Sequence, residues 1–182
     1  MFGRMKKQCS SGLVAACLSW VAGCASAPAR QGQDAPVDPS QAGSDSKISE
    51  SKIADLRSKV VSAHNRARTE AKLRTLEVNE RLDAAAQSHA RHMAARRTMT
   101  HKGVRGSRPF DRIKAQGSNY RRAGENVAAG PWKFEQLMKI WLESPPHKRN
   151  ILGGFSQIGV GCAIAEDGKP YWCVTFGLPV YP

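Results

Sequence analysis

Acidic side chains and aromatic side chains are both scarce in this chain of 182 residues. There are 15 Asp and Glu against 28 Lys and Arg, so the formal net charge is +13 and an anionic neighbour is indicated. Aromatic residues make up 7% of the chain, and the basic residues are scattered without an aromatic array on which bases could stack. We therefore expect no nucleic-acid partner. The length suits one domain of ordinary size with additional segments.

The N-terminus has a short apolar stretch that is preceded by basic residues. Residues 12–21 read GLVAACLSWV, which is too short for a stable transmembrane anchor. Arg4, Lys6 and Lys7 come before it with no acid among them, and this order is typical of a secretion signal. The stretch runs into VAGC at residues 21–24, which resembles a bacterial lipobox. The alternative is an ordinary signal peptide that happens to contain a cysteine.

The lipobox interpretation divides the chain into three parts. We predict a lipoprotein signal peptide over residues 1–23 and a lipid-modified Cys24 followed by a flexible tether to residue 50. Residues 51–182 then form the folded domain. Ala25, rather than Asp, follows the cysteine, and by resemblance to enterobacterial sorting this favours the outer membrane. The expected location is thus the bacterial cell envelope, with the membrane itself as one partner.

Cysteines are few, and their positions predict one disulfide. Cys9 and Cys17 leave with the predicted signal and Cys24 carries lipid, so Cys162 and Cys173 remain as a pair in an oxidising compartment. They lie on two predicted strands joined at Asp167-Gly168, which is a strong hairpin signal. A two-residue turn would place the two cysteines opposite each other, about 5.5 Å apart at Cα. We therefore predict a structural Cys162–Cys173 bridge.

Three long helices are indicated by apolar residues at helical spacing, at residues 52–69, from Asn79 to about 95, and from Pro131. The stripe of the second helix includes His89, which suits a hydrogen-bonded core histidine. His89 and His92 could together chelate a metal, but the HExxH arrangement of a zinc peptidase is missing. For His64, on the first helix, the pattern favours a packing or surface role over a catalytic one.

A short helix near residue 147 begins with a strong start signal. Ser144 is placed to cap it, Pro145 and Pro146 occupy positions that need no N–H partner, and Gly153 ends it. His147 then lies in the first turn, where the positive end of the helix dipole favours a neutral imidazole. A neutral ring can ligate a metal or accept a proton.

Several motifs in order resemble a known family. They are HNRAR, VNERLDAAAQSHARHMA, MTHKG, GENVAAG, WLESPPHKRNIL and FSQIGVGCAIAEDGKPYWCVTFG, and together they cover about residues 53–178. The combination resembles the CAP superfamily of cysteine-rich secretory, antigen 5 and pathogenesis-related (SCP-like) proteins. This resemblance implies an α+β fold, a three-layer α-β-α sandwich around a small antiparallel sheet.

The resemblance also implies a surface cleft with histidines and acids able to hold a divalent metal, zinc being one candidate. By motif, the metal ligands would be His101, Glu125 and His147. Glu143 is the weakest candidate, because it lies two residues after the helix tryptophan rather than the three seen in eukaryotic members. Asn126 and Ser144 would support the cleft.

Three classes of function are compatible with such a cleft. No serine or cysteine nucleophile with an adjacent base is apparent, which favours a binding module for a lipid, a glycan or an anionic envelope polymer over an enzyme. A zinc-dependent hydrolase of peptide or cell-wall substrates would use a metal-bound water, with Glu125 as its base. In a purely structural domain, the histidines and Glu125 would form a buried hydrogen-bond network.

Overall fold

A computed structural model describes residues 49–117, 119–130 and 133–180. The predicted signal peptide, Cys24 and nearly all of the tether lie outside these ranges. Within them, no helix combines the length and the apolar character needed to cross a membrane. The helices are α1 (Glu50–Glu70), α2 (Glu80–Ala95), α3 (Pro109–Ala115), α4 (Phe134–Glu143) and α5 (Pro145–Ile151). The strands are β1 (Glu77–Val78), β2 (Tyr120–Ala129), β3 (Gln157–Ile164) and β4 (Pro170–Pro179).

The four strands form one sheet in the order β1-β3-β4-β2. β4 pairs antiparallel with both β3 and β2, whereas the short β1 pairs parallel with β3. The sheet is therefore mixed rather than purely antiparallel. Helices cover both of its faces, and the predicted α-β-α sandwich is confirmed.

The two faces of the sheet bury different side chains. On one face, α1, α4 and α5 pack against β3 and β4 through residues such as Val60, Trp141, Ile151, Val160 and Trp172. On the other face, α2 packs against the sheet through Ala86, Ala90, Met93, Tyr171 and Cys173. The predicted stripe of α2, including His89, is buried as expected. This second face also carries the candidate site.

Helix α2 begins where the sequence predicts and lies unusually close to the sheet. The Asn79 side-chain oxygen accepts hydrogen bonds from the backbone N–H groups of Arg81 and Leu82, at 3.0 and 3.3 Å. Two glycines of β3 allow the close approach, since a Cβ at Gly161 would lie 2.4 Å from the backbone carbon of Ala86. Glycine is thus required there for packing. The tight contact fixes α2 over the sheet.

The predicted disulfide is wrong, because the hairpin register differs by one residue. The turn holds three residues, Glu166 to Gly168, and Gly168 adopts a positive φ of 78°. Cys162 therefore pairs with Trp172, and Cys173 pairs with Gly161. A one-residue slip turns a side chain to the other face of a sheet. The two cysteines are free and lie in different halves of the core.

We expect neither Cys162 nor Cys173 to react with iodoacetamide in the folded protein. Burial raises the pKa of the Cys162 thiol to about 12, and burial together with the Glu125 carboxylate raises the pKa of Cys173 well above its ordinary value. A thiol that is neither ionised nor accessible reacts slowly. Both should be alkylated once the protein is unfolded in denaturant without reductant. A disulfide-linked pair of tryptic peptides that carries no alkyl group would contradict this.

His64 is a core residue of α1 rather than a surface residue. Its ring is fully buried and lies 5.6 Å from the Trp141 ring and 5.7 Å from the Phe176 ring, between centroids. Nδ1 lies 2.8 Å from the Val60 carbonyl oxygen and so donates to it. Burial lowers the pKa of His64 from 6.5 to about 4. The folded protein therefore holds this imidazole neutral.

Acid should destabilise the protein through His64. Below pH 6.5 the unfolded chain binds a proton that the folded chain excludes until about pH 4. The free energy of unfolding therefore has its full value above pH 6.5 and decreases as the pH falls to 4. The decrease is about 3 kcal/mol, at 1.36 kcal/mol per pKa unit. In urea unfolding, the free energy of unfolding of His64→Phe should decrease less between pH 6.5 and pH 4 than that of the wild type, by this amount. An equal decrease in the two proteins would disprove the role of His64 in acid destabilisation.

Candidate functional site

The candidate site is built around Glu125, a buried carboxylate on β2. Its side chain is 1% exposed. In the antiparallel pairing of β2 with β4, Glu125 lies opposite Thr175, and Val127 lies opposite Cys173. The carboxylate therefore points to the face that α2 covers. There, the Cys173 thiol lies 3.4 Å from Oε2, and Nε2 of His89 on α2 lies 3.8 Å from Oε1.

Two side chains from the segment after α2 pair with Glu125. Arg112 on α3 donates from Nη2 to Oε2, and Nδ1 of His101 lies 2.8 Å from Oε1. Arg112 also donates from Nη1 to the carbonyl oxygens of His101 and Ser107, at 3.1 and 2.7 Å. This guanidinium thus fastens both α3 and the loop before it to the buried acid. A charge-assisted pair of this kind is strong when water is excluded.

The surroundings of Glu125 keep it ionised. Burial on its own would raise the pKa of the carboxyl, but the hydrogen bond with His101 and the charge of Arg112 outweigh burial. The net effect lowers the pKa below its ordinary value. Each carboxylate oxygen has a hydrogen-bond partner and the side chain is 1% exposed, so Glu125 is a buried anion that solvent does not reach.

His147 lies across the edge of the sheet from Glu125. It is half-buried in the first turn of α5, and its backbone carbonyl accepts from Asn126 Nδ2 at 3.1 Å. Asn126 is fully buried, and its Oδ1 accepts from Asn150 at 2.8 Å. Asn150 donates in turn to the Glu125 carbonyl at 3.0 Å. Glu125 and Asn126 are neighbours on β2 and point in opposite directions. Glu125 pairs with Arg112 of α3, and Asn126 donates to the His147 carbonyl of α5.

The His147 ring is neutral and partly unpaired. Burial and the nearby charge of His101 lower its pKa. Its Nδ1 is buried and has no hydrogen-bond partner among the described residues. His101, in contrast, exposes 52% of its side chain. The structure thus brings His101 into contact with Glu125 and places His147 nearby, joined to Glu125 through amide and backbone hydrogen bonds.

This arrangement does not fit a metal ion as it stands. Across the described ranges, no three His, Cys, Asp or Glu side chains group closely enough to hold one. Arg112 and His101 occupy the carboxylate oxygens that would ligate the metal, and His101 uses Nδ1 for that contact. Metal binding by His101, Glu125 and His147 therefore stays a prediction, and it would require Glu125 to exchange partners.

Glu143, the weakest ligand candidate, lies on the surface, and Ser144, the predicted cap, does not cap α5 through its side chain. Glu143 exposes 67% of its side chain, and its carboxylate pairs with Lys139 one turn earlier on α4, at 3.8 Å. Ser144 stands between α4 and α5 at the predicted N-cap position, but its side chain makes no capping hydrogen bond. The α5 helix begins instead with Pro145, where a missing N–H costs nothing.

Sequence reasoning missed Arg112, the main charge partner of Glu125. It lies in a seven-residue helix, and nothing in the local sequence distinguishes it from its exposed and equally charged neighbours Arg108 and Lys114. His89 was expected to be a core histidine, and its Nε2 does lie 2.7 Å from the Thr100 carbonyl oxygen. Its proximity to Glu125 could not be read from its helical spacing.

Comparisons with known proteins agree on one family. The cysteine-rich secretory protein family, CAP, matches residues 61–176. The uncharacterized protein YkwD of Bacillus subtilis is 34% identical over 112 residues, which are 61% of this chain and 44% of that protein. The chain therefore spans less than half the length of this relative.

Solved structures show the same fold. An outer surface protein of Borrelia burgdorferi superposes with a TM-score of 0.64 at 24% identity, over 74% of this chain and 97% of that one. An extracellular protein of Bacillus anthracis that contains an SCP domain also gives 0.64, at 21% identity over 72% of this chain and 44% of its own.

Proposed function

Because this chain belongs to the cysteine-rich secretory protein (CAP) family, we propose that it is an exported, membrane-anchored binding protein whose ligand contacts the rim of the Glu125 site. The observation that carries the proposal is the difference in exposure between the two paired groups. Glu125 is buried and paired at both oxygens, whereas its partner His101 is half-exposed. Glu125 then serves as a fixed support, and His101 and His147 form the surface that a ligand meets.

The same geometry argues against hydrolysis as the main activity. A general base must come within hydrogen-bond reach of its substrate, and the Glu125 side chain is only 1% exposed behind its partners His101 and Arg112. Cys173 is the thiol next to Glu125, but its pKa is raised well above the ordinary value, so it supplies no thiolate nucleophile. A binding role uses the site as it is arranged.

Location and charge suggest the class of ligand. The names of two structurally similar proteins describe an outer surface protein and an extracellular protein, which supports export of this chain. The predicted lipid on Cys24 would hold the domain at a membrane. The exposed residues Lys102, Arg105 and Arg108 follow His101 closely, so an anionic lipid or envelope polymer is the favoured ligand.

Vesicle binding tests this proposal. Full-length Cys24→Ser protein, which cannot be lipidated, should sediment with vesicles containing phosphatidylglycerol more than with phosphatidylcholine vesicles. It should also bind an anionic envelope polymer. The His101→Ala variant should bind about tenfold more weakly, while Lys139→Ala on α4 should change affinity little. Equal affinity of all three proteins would overturn the assignment of the His101 rim.

A metal-dependent hydrolase makes a different prediction. Calorimetric titration with zinc would show binding that both His101→Ala and His147→Ala abolish. Chelator-sensitive turnover of a peptide or cell-wall substrate would then disappear in Glu125→Gln. Both results together would replace the binding proposal, whereas zinc binding without turnover would add a metal to the binding site.

A further inference from the structure

The stretch from the second turn of α2 to the glycine after α3, residues 84–117, is strongly basic. It holds eight Lys and Arg residues against one acid, Asp111, and so carries +7 of the formal net charge of +13. Seven of the eight are exposed, and the eighth, Arg112 of the Glu125 cluster, is half-buried. Asp111 is itself paired with Arg108, at 3.7 Å. We call residues 84–117 the basic layer.

The basic layer lies on one side of the sandwich. Ile113 of α3 packs with Leu82 and Ala85 of α2 in one buried cluster, so the two helices cover the same face of the sheet. The helices on the opposite side, α1, α4 and α5, together hold eight basic residues against five acids. The two sides of the domain therefore differ in charge, and an anionic surface would attract the α2 side.

Three large apolar residues are exposed within the basic layer. Met99 is 55% exposed, Val104 is 62% exposed and Phe110 is 44% exposed. They are three of the seven large apolar residues that are exposed in the described ranges. Single exposed apolar side chains are common, but a group of them among polar residues marks an interaction surface.

Hydrogen bonds hold the loop that carries Met99 and Val104. His89 donates from Nε2 to the Thr100 oxygen at 2.7 Å, which fixes the residue after Met99. The Gly103 N–H donates to the Ser107 oxygen at 2.8 Å, which closes the turn around Val104. Both apolar side chains therefore stand outside an anchored loop, where a partner can cover them without a change of fold.

We propose that the basic layer docks on a bilayer that contains anionic phospholipid. Met99, Val104 and Phe110 enter the boundary between headgroups and acyl chains, and the basic side chains lie among the lipid phosphates. Binding of this kind grows with the apolar area buried and with the attraction of Lys and Arg to anionic lipid. A soluble polyanion would pair with the basic residues but would gain nothing from the apolar ones.

This inference rests on the proposed membrane location of the chain. It adds which side of the domain faces the membrane, and it names a bilayer surface, rather than a soluble polymer, as the partner of that side.

Vesicle binding of a serine variant tests the apolar contribution. Full-length Cys24→Ser protein is compared with the same protein carrying Met99→Ser, Val104→Ser and Phe110→Ser together. The serine variant should bind vesicles of phosphatidylglycerol and phosphatidylcholine at least about tenfold more weakly, because it loses the apolar contacts but keeps every charge. Its affinity for a soluble anionic polymer should stay unchanged.

The matched control removes three exposed apolar side chains from outside the basic layer. Leu73→Ser, Val78→Ser and Ile140→Ser replace residues that are 37%, 56% and 47% exposed. This variant should bind vesicles as tightly as the parent protein.

Charge is tested separately from apolar contact. Arg91→Gln with Arg96→Gln removes two exposed charges from the basic layer, and each should weaken vesicle binding roughly fivefold at low salt. Lys52→Gln with Arg66→Gln removes two exposed charges from α1 and should weaken binding much less.

Fluorescence quenching reports on insertion without weakening the protein. In Phe110→Trp, the fluorescence added by the new tryptophan should be quenched by phospholipids with brominated acyl chains. The tryptophan added by Ile140→Trp, on α4, should not be quenched, because that helix lies on the other side of the sandwich.

Three results would overturn the docking assignment. They are equal vesicle affinity of the two serine variants, equal quenching at positions 110 and 140, or an equal loss of vesicle and polymer binding in the basic-layer serine variant. The proposed function fails separately, because it depends on weaker binding by His101→Ala, and all of these variants keep His101 and Glu125.

Discussion

Replacing Arg68 by methionine is expected to lower the free energy of unfolding by about 4 kcal/mol, which a small domain can barely tolerate. The Arg68 side chain is 3% exposed and ends among backbone carbonyl groups. Nε donates to the Arg74 oxygen at 2.8 Å, and Nη1 donates to the Ile151 and Gly153 oxygens, both at 2.8 Å. Nη2 donates to the Phe155 oxygen at 3.1 Å.

The size of the effect follows from what methionine leaves behind. It fills most of the space but donates no hydrogen bond, so four carbonyl groups lose a partner at about 1 kcal/mol each. These carbonyl groups belong to the segment after α1, to the last residue of α5 and to the loop that follows α5, so losing these hydrogen bonds should loosen the support of the helix that carries His147. Lysine at this position cannot supply the planar set of donors and should recover only part of the loss.

Arg66→Met is the matched control for Arg68→Met. It removes the same charge from the same helix, but Arg66 is exposed, and surface substitutions change stability by only about 0.5 kcal/mol. Urea unfolding of both variants at neutral pH gives the comparison. Arg68 would lose its assigned role if the two variants unfolded at the same urea concentration.

Features set by neighbouring residues were predictable from the sequence. Asn79 caps α2, and the stripe of α2 is buried, because both depend on positions within one turn or two of the same helix. Arg68 also carries a signal in the sequence. It follows His64 by four residues and shares the buried face of α1 with Val60 and Ala63. An arginine on the apolar face of a helix indicates a buried guanidinium that donates several hydrogen bonds, as Arg68 does here.

Features set by turn geometry and by distant contacts were not predictable in the same way. The hairpin between β3 and β4 was expected, but a turn longer by one residue moved Cys162 and Cys173 to opposite faces of the sheet. Glu125 and His101 were identified by motif. Arg112 was not, because its pairing with Glu125 depends on how α3 docks beside β2, and no local periodicity encodes that docking.

Glu125→Gln is expected to destabilise the protein by about 3 kcal/mol, because it removes the negative partner of a buried guanidinium. Arg112 is only 11% exposed and would keep its charge without a counter-charge. Glu143→Gln is the control, since Glu143 is the acid of the same region that lies on the surface, 67% exposed. Its unfolding free energy should change by no more than about 0.5 kcal/mol.

The pH dependence separates lost charge from lost packing. The folded pKa of Glu125 is lowered from 4.5, so its stabilisation is complete above that pH and disappears as pH falls through the folded value. The stability difference between the wild type and Glu125→Gln should therefore close in acid. A difference that stays constant below pH 4.5 would show that glutamine disturbs packing instead.

A double substitution tests whether Glu125 acts through Arg112. If the cost of Glu125→Gln comes from an uncompensated guanidinium, then removing that guanidinium with Arg112→Met should restore part of the stability. The double variant would then be more stable than the sum of the two single losses predicts. In the double variant, as in Glu125→Gln, His101 would face a neutral amide instead of a carboxylate, so vesicle binding should stay weaker than in the wild type although the fold recovers. Recovery of stability without recovery of binding would separate the structural role of Glu125 from its role in positioning His101.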